Sequence, residues 1–410
     1  TAREKLLWDN TIRFETKELT DGEIKSENIA LPEDFDDPRS ILFKTTHTIA
    51  EVWLDGEKIY EYGNEEDAPS FMKSPGSCWH IVNIPEDSAG KSLEVRIIPV
   101  YDNYYGNEVS IVYGTRGNCV LKILMDSFKT LLLSCGILFA SIICLLLYLG
   151  AVRRKRRDKT ETKIEVFLNL GFFSLLIAVW TLAQCGFLQF LIPDGRTLYF
   201  VDYFSFFLFP VPFNFLLYDI CKSRYHKGAL IFPILYLANM AADVLLQCTG
   251  IIDIFRLLPA THVIMVANAV YTVALILYEA RKEGNDEAKK FQYPMCVLIV
   301  FGMVEMFLYY LRKFQQTSIL LPIGTLLFII MLIWIQVSQY YDQYIQKQKV
   351  IYLQKIANMD MLTEAMNRNA YEDMVKYLEE SDIKLRTTGV VLFDLDNLKV
   401  INDNFGHEKG

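Results

Sequence analysis

Hydrophobic and polar positions divide the chain into three regimes. Up to about residue 120, short apolar runs alternate with charged and turn-forming residues; from about 121 to 340 the apolar runs are long; beyond 340 they shorten and turn polar again. The first regime predicts strands at 12–14, 41–46, 50–54, 58–62, 79–84, 93–100 and 108–113, each rich in β-branched and aromatic residues between turn signals. Strands at that spacing are expected to form an all-β sandwich. Asp55-Gly56, between two such runs, supplies the positive-φ pair that a tight hairpin needs.

A membrane-crossing helix needs roughly 20 apolar residues. Seven stretches qualify, at 124–150, 164–187, 198–221, 229–248, 258–280, 292–311 and 317–339. Pro210, Pro212, Pro233, Gly302 and Pro322 fall inside them and predict kinks, since neighbouring helices re-satisfy the freed carbonyls. The last stretch continues to residue 359 with no Gly or Pro to stop it beyond the bilayer. Ile345, Tyr352 and Met359 recur there at heptad spacing, with Tyr341 and Gln348 as an imperfect second seam. A short parallel coiled coil and a plain amphipathic signalling helix both fit. The expected division is a β-sandwich at 1–120, a seven-helix membrane domain at 121–340, a signalling helix at 341–358 and a separate α/β domain from 359.

Length and charge sharpen this plan. A chain of 410 residues exceeds what one hydrophobic core serves. The net charge of −8, with no basic face beyond the loops, argues against a nucleic-acid partner. No Met and no leader precede Thr1, so a processed or trimmed start is expected. Six of the eight cysteines lie in or beside apolar runs, where a thiol behaves as a small hydrophobe. Cys78 and Cys119 lie in the polar region and are candidates for a disulfide in an oxidising compartment.

Lysine and arginine in the short loops set orientation. Seven follow the first span (Arg153, Arg154, Lys155, Arg156, Arg157, Lys159, Lys163), three the third (Lys222, Arg224, Lys227) and four the fifth (Arg281, Lys282, Lys289, Lys290). The opposite loops hold Arg196, Arg256, and Arg312 with Lys313. This bias predicts an N-terminal domain outside and a C-terminus in the cytoplasm. Ionisable groups inside spans are costly and informative, and Glu305 and Asp243 are two of them. A coupling switch and a hydrogen-bonded structural pair are the two readings. Outside, Trp79, His80, Tyr101, Asp102, Asn103, Tyr104 and Tyr105 form a candidate small-ligand surface, since aromatic faces beside acceptors suit carbohydrate; ordinary core and turn residues are the competing reading.

The last stretch carries the chemistry. An apolar run at 389–393 predicts a strand ending in Asp394-Leu395-Asp396, with alternation sending the two carboxylates to opposite faces. Asp394, with the Leu395 carbonyl, could hold a hard divalent cation against phosphate oxygens. Lys399 could stabilise developing charge in phosphoryl transfer. Asn402 offers the donor and acceptor that read a guanine edge.

The run Asp394-Leu-Asp396-Asn-Leu398-Lys399-Val-Ile-Asn402-Asp403-Asn-Phe-Gly406-His407 resembles the D-x-D-x-F-K-x-I-N-D-x-x-G-H motif of GGDEF-domain diguanylate cyclases. Asp360-Met-Leu362-Thr363-Glu364-Ala365-Met-Asn367-Arg368 resembles the family's opening D-x-L-T-G-L-x-N-R, with Glu364 and Ala365 departing from it. The resemblance implies a cyclase-palm-like α/β domain, GTP as substrate, Mg2+ or Mn2+ at Asp394 and Leu395, guanine reading by Asn402 and His407, and a homodimer in which two GTP become cyclic di-GMP. The family's G-G-D/E-E-F loop is not among these residues, so the chain is expected to be cut before it and inactive by itself. A rival expectation is a non-enzymatic receptor with a degenerate nucleotide-binding domain. The sandwich, through Trp53-Leu-Asp-Gly-Glu-Lys-Ile-Tyr60 and Leu93-Glu-Val-Arg-Ile-Ile-Pro-Val-Tyr101, resembles jelly-roll ectodomains of bacterial seven-transmembrane receptors with diverse intracellular signalling modules.

Overall fold

The hairpin at Asp55-Gly56 sets the register of the sandwich. Asp55 (φ 48°) and Gly56 (φ 86°) both take positive φ, joining β3 (Thr48–Leu54) to β4 (Glu57–Tyr62), with Leu54 opposite Glu57. Asp55 also accepts a hydrogen bond from the Ser92 amide at 2.8 Å, which fixes the hairpin tip to the start of the strand Ser92–Pro99. In this computed structural model the described residues are 25–31, 39–64, 68–101, 111–158, 165–311, 319–360, 363, 365–380, 389, 391–394 and 396–406.

The remaining strands are β1 (Lys25–Ala30), β2 (Arg39–Thr46), β5 (Ser77–Asn83), β6 (Ser92–Pro99) and β7 (Val112–Thr115). They form two antiparallel sheets, ordered β1-β6-β3-β4 and β5-β2-β7. Alternation puts Val52 and Leu54 on one face of β3 with Leu93 and Val95 of β6, against Ile41 and Phe43 of β2, all buried. Six predicted strands correspond to β2–β7; the predicted strand at 12–14 lies outside the described residues. The run Lys-Ser-Glu-Asn-Ile-Ala of β1 has too few apolar positions to announce a strand, and pairing with β6 makes it one.

β7 passes directly from Thr115 into α1 (Arg116–Asp158). The further helices are α2 (Glu165–Ala183), α3 (Gly195–Leu208), α4 (Pro210–Ile220), α5 (Ile231–Cys248), α6 (Ile254–Arg281), α7 (Asp286–Leu311) and α8 (Leu320–Asn358). Among the described residues, seven helices are long and apolar enough to cross a membrane, α3 and α4 together making one of them. At their junction Phe209 keeps right-handed helical angles and donates its N–H to the Ser205 carbonyl at 3.0 Å. Pro210 has no N–H to continue the ladder, so the helix is interrupted at Phe209 while its backbone angles stay helical.

Leu132, Phe139 and Trp334 are 62%, 66% and 75% exposed, an apolar surface suited to lipid. Inside, Phe173 meets Phe213, Phe328 and Phe209 with ring centroids 5.7, 5.8 and 6.1 Å apart.

The chain divides into two compact units, Thr1–Ile335 and Gln336–Gly410. In the second, α8 ends at Asn358, so Met359 lies outside the helix and does not extend its heptad; it forms a bridge with Met366. α9 (Arg368–Glu380) and α10 (Leu398–Phe405) follow. The expected strand at 389–393 is not formed: residues 391–394 are irregular, and no described strand stands beside them to complete a ladder.

Candidate functional site

The C-terminal motifs are held by local hydrogen bonds. Asp360 accepts from both the amide and the hydroxyl of Thr363 at 2.9 Å. Asn367 caps α9 by accepting from the Ala370 amide at 3.1 Å, while its Nδ2 donates to the Ala357 carbonyl at 2.8 Å. The cap therefore ties the start of α9 to the end of α8, which is what an Asn preceding Arg368 is suited to do.

Asp394 and Asp396 flank Leu395, which is outside the described residues; Asp394 is exposed. Leu392 and Phe393 before it are 93% and 89% exposed. Without a strand, the expected alternation of the two carboxylates has no ladder to impose it. Asn397 takes left-handed angles (φ 57°), which Asn tolerates, and α10 begins at the next residue. Lys399 and Asn402, three positions apart on α10, share one face. Gly406 (φ 80°) ends the helix, and His407 lies outside the described residues.

Asn402 Oδ1 is buried and has no hydrogen-bond partner among the described residues. An orphaned acceptor next to Lys399 suits a ligand that brings its own donor, as a base edge does. No group of three His, Cys, Asp or Glu that could hold a metal occurs among the described residues. A magnesium ion does not require one, because it takes one or two carboxylates and fills its shell with water and phosphate oxygens. Asp394 is of the right kind for that role.

The outer candidates separate. His80 is a core residue, 2% exposed, with Nε2 2.7 Å from Thr45 Oγ1 and Nδ1 2.9 Å from Tyr60 Oη. Tyr101 is also buried and donates to Asp253 Oδ2 at 2.5 Å. Asp102, Asn103, Tyr104 and Tyr105 lie outside the described residues. Trp79 remains at a cavity wall. Cys78 and Cys119 are both free and each has its own neighbour, His80 Nε2 at 3.6 Å and the Ser40 carbonyl at 3.8 Å, so the anticipated disulfide is not formed.

Glu305 and Asp243 are not paired with each other. Asp243 accepts from Asn239 Nδ2 at 2.7 Å. Glu305 accepts from the amides of Ile319, Leu320 and Leu321 at 3.2, 2.5 and 3.2 Å, capping α8. Among the carboxylates inside apolar stretches that sequence reasoning passed over are Asp202 on α3 and Glu279 on α6. An acidic residue within a span was the signal that could have found them. Glu279 is fully buried and accepts from the Lys222 and Ser223 amides at 2.8 and 2.6 Å.

Residues 357–410 match the family described as diguanylate cyclase, GGDEF domain. No curated protein and no solved structure matches the chain.

Proposed function

We propose that this chain belongs to a membrane-bound sensor that controls synthesis of cyclic di-GMP from two molecules of GTP. The observation that carries the reading is the family match at 357–410 on the same chain as seven membrane-length helices and a β-sandwich. The loop-charge bias, seven, three and four basic residues against one, one and two, supports a cytoplasmic C-terminus and an external sandwich. Jelly-roll topology, a bacterial inner-membrane location and an external ligand belong to this same reading.

In it, Asp394 and the Leu395 carbonyl would hold a divalent metal, which would supply charge to offset that of the triphosphate. Lys399 places a cation near the phosphates, and Asn402 and His407 orient the guanine. The 3′-hydroxyl of one GTP attacks the α-phosphate of the other, a P–O bond forms as pyrophosphate leaves, and the reciprocal step closes the ring. Two copies are needed, and α8 supplies a surface for pairing them: Ile345 and Tyr352, seven residues apart, are 44% and 60% exposed. The activity is that of a polypeptide carrying these residues together with a complete domain.

The test is Asp394→Asn in such a polypeptide, with cyclic di-GMP formation from GTP measured in membranes. Turnover should fall by more than the roughly 10–100-fold typical of losing a residue that merely supports a metal ligand, with membrane insertion unchanged. Retained turnover would refute the assignment.

A further inference from the structure

Between the β5-β2-β7 sheet and the helices is a cavity of about 190 Å³. Sheet residues Lys44 and Trp79 line it on one side; Trp180, Tyr199, Asp202 and Phe255 line it on the other. It is smaller than the roughly 300–1,000 Å³ of sites for drug-sized molecules, so it suits a small metabolite.

Most polar groups around it are already engaged. His47 Nδ1 is 2.7 Å from Ser74 Oγ, His262 Nδ1 is 2.8 Å from Tyr310 Oη, and Glu305 caps α8. Gln189 is used on both ends by the Trp79 backbone, at 2.7 Å each way. Two groups of opposite sign are not. Lys44 makes no salt bridge among the described residues, and its Nζ sits 5.8 Å from the centroid of the Trp79 ring. Asp126, the carboxylate that raises its pKa, is already paired with Lys122 at 2.9 Å. Among the described residues Asp202 receives a single hydrogen bond on its carboxylate, from Gln184 Nε2 at 3.1 Å. Burial lowers the Lys44 pKa, as expected for a cation without a counter-ion.

A desolvated cation and an under-satisfied carboxylate on opposite walls of an aromatic chamber call for a ligand carrying the complementary pair. We propose that this cavity binds a small zwitterion with an apolar body, of the free amino acid class, its carboxylate on Lys44 and its ammonium on Asp202. Lys44 belongs to the sandwich and Asp202 to the helices, so the occupant joins the two. A neutral sugar would leave both charges uncompensated. This deepens the sensor reading by naming its input.

Binding is read directly on the 410-residue chain in nanodiscs by titration calorimetry, using the proteinogenic amino acids one at a time, and glucose and galactose as neutral probes. For L-phenylalanine, 3-phenylpropionate and phenethylamine serve as singly charged counterparts. Saturable binding of at least one amino acid is expected, with its singly charged counterparts about tenfold weaker or worse. Lys44→Met and Asp202→Asn should each weaken it about 30-fold, and Lys44→Arg should retain most of it, which separates lost charge from lost folding. No saturable binding by any amino acid, binding indifferent to both charge-removing substitutions, or preference for a neutral sugar overturns the proposal. In a polypeptide that carries the complete domain, binding that leaves cyclic di-GMP synthesis unaffected would keep the site and defeat the sensor reading instead.

Discussion

His47 and His80 are neutral imidazoles sealed in the protein, 6% and 2% exposed, and burial pushes both down to about 3. Unfolded, each titrates near 6.5. Between these values the unfolded chain holds the extra protons, so stability falls as pH drops from about 6.5 towards 3. From pH 6.5 to 5 each histidine should cost about 2 kcal/mol. Thermal unfolding followed by tryptophan fluorescence at the two pH values checks this. His80→Gln should flatten the dependence, and an unchanged slope would show that His80 is not neutral in the folded protein. The same residue scale shows what the sequence could reveal. Asp55-Gly56 was readable because a tight turn is specified by its own two residues. Lys44 was not: in Arg-Ser-Ile-Leu-Phe-Lys-Thr-Thr it alternates like a solvent-facing position, and only the helices packed beside the sheet desolvate it.

At the scale of elements, the long helices were legible because each carries a membrane's worth of apolar residues, whereas their ends depend on distant partners. α8 is the clearest case. The first amides of a helix lack intrahelical acceptors and carry partial positive charge, and Glu305, fourteen to sixteen residues earlier on α7, accepts three of them. Nothing local to Leu320 announces that cap. Glu305→Ala should cost about 1–2 kcal/mol and speed amide exchange at 319–321 by about 5–30-fold, with Glu305→Gln partly restoring protection. If Asp243→Asn produced the same local loss, the two carboxylates would form one unit after all. The unformed strand at 389–393 has the opposite origin. Its apolar residues state a preference for burial, but a strand is made by the neighbours that pair with it, and the described residues offer none.

For the sandwich and bundle together, the question is what would carry a change at the sheet into the helices. One link is covalent, since β7 becomes α1 without an intervening residue. Another is Gln189, on the 3-10 turn Gly186–Phe190: β5 is an edge strand, and the Gln189 amide takes both the N–H and the carbonyl of Trp79 as a neighbouring strand would. A third is the Asp253 corner at the start of α6, which receives Tyr101 and Gln247, while Gln247 also donates to the Phe71 carbonyl. The fit is close: at Gly76 (φ 85°) a Cβ would stand 2.2 Å from the Gly195 carbonyl oxygen. If the sheet is docked as a rigid face, two unlike changes must have one effect. Gln189→Leu deletes two hydrogen bonds and orphans the Trp79 backbone, for about 2–4 kcal/mol, and should accelerate exchange of the Trp79 amide. Gly76→Ala removes no hydrogen-bonding group, yet it must strain the turn and force the sheet from α3, so the Trp79 amide should lose protection there too. Protection lost in Gln189→Leu but kept in Gly76→Ala would mean that the clamp acts alone and the sheet adjusts around the added methyl, leaving no rigid face through which the cavity could move the helices.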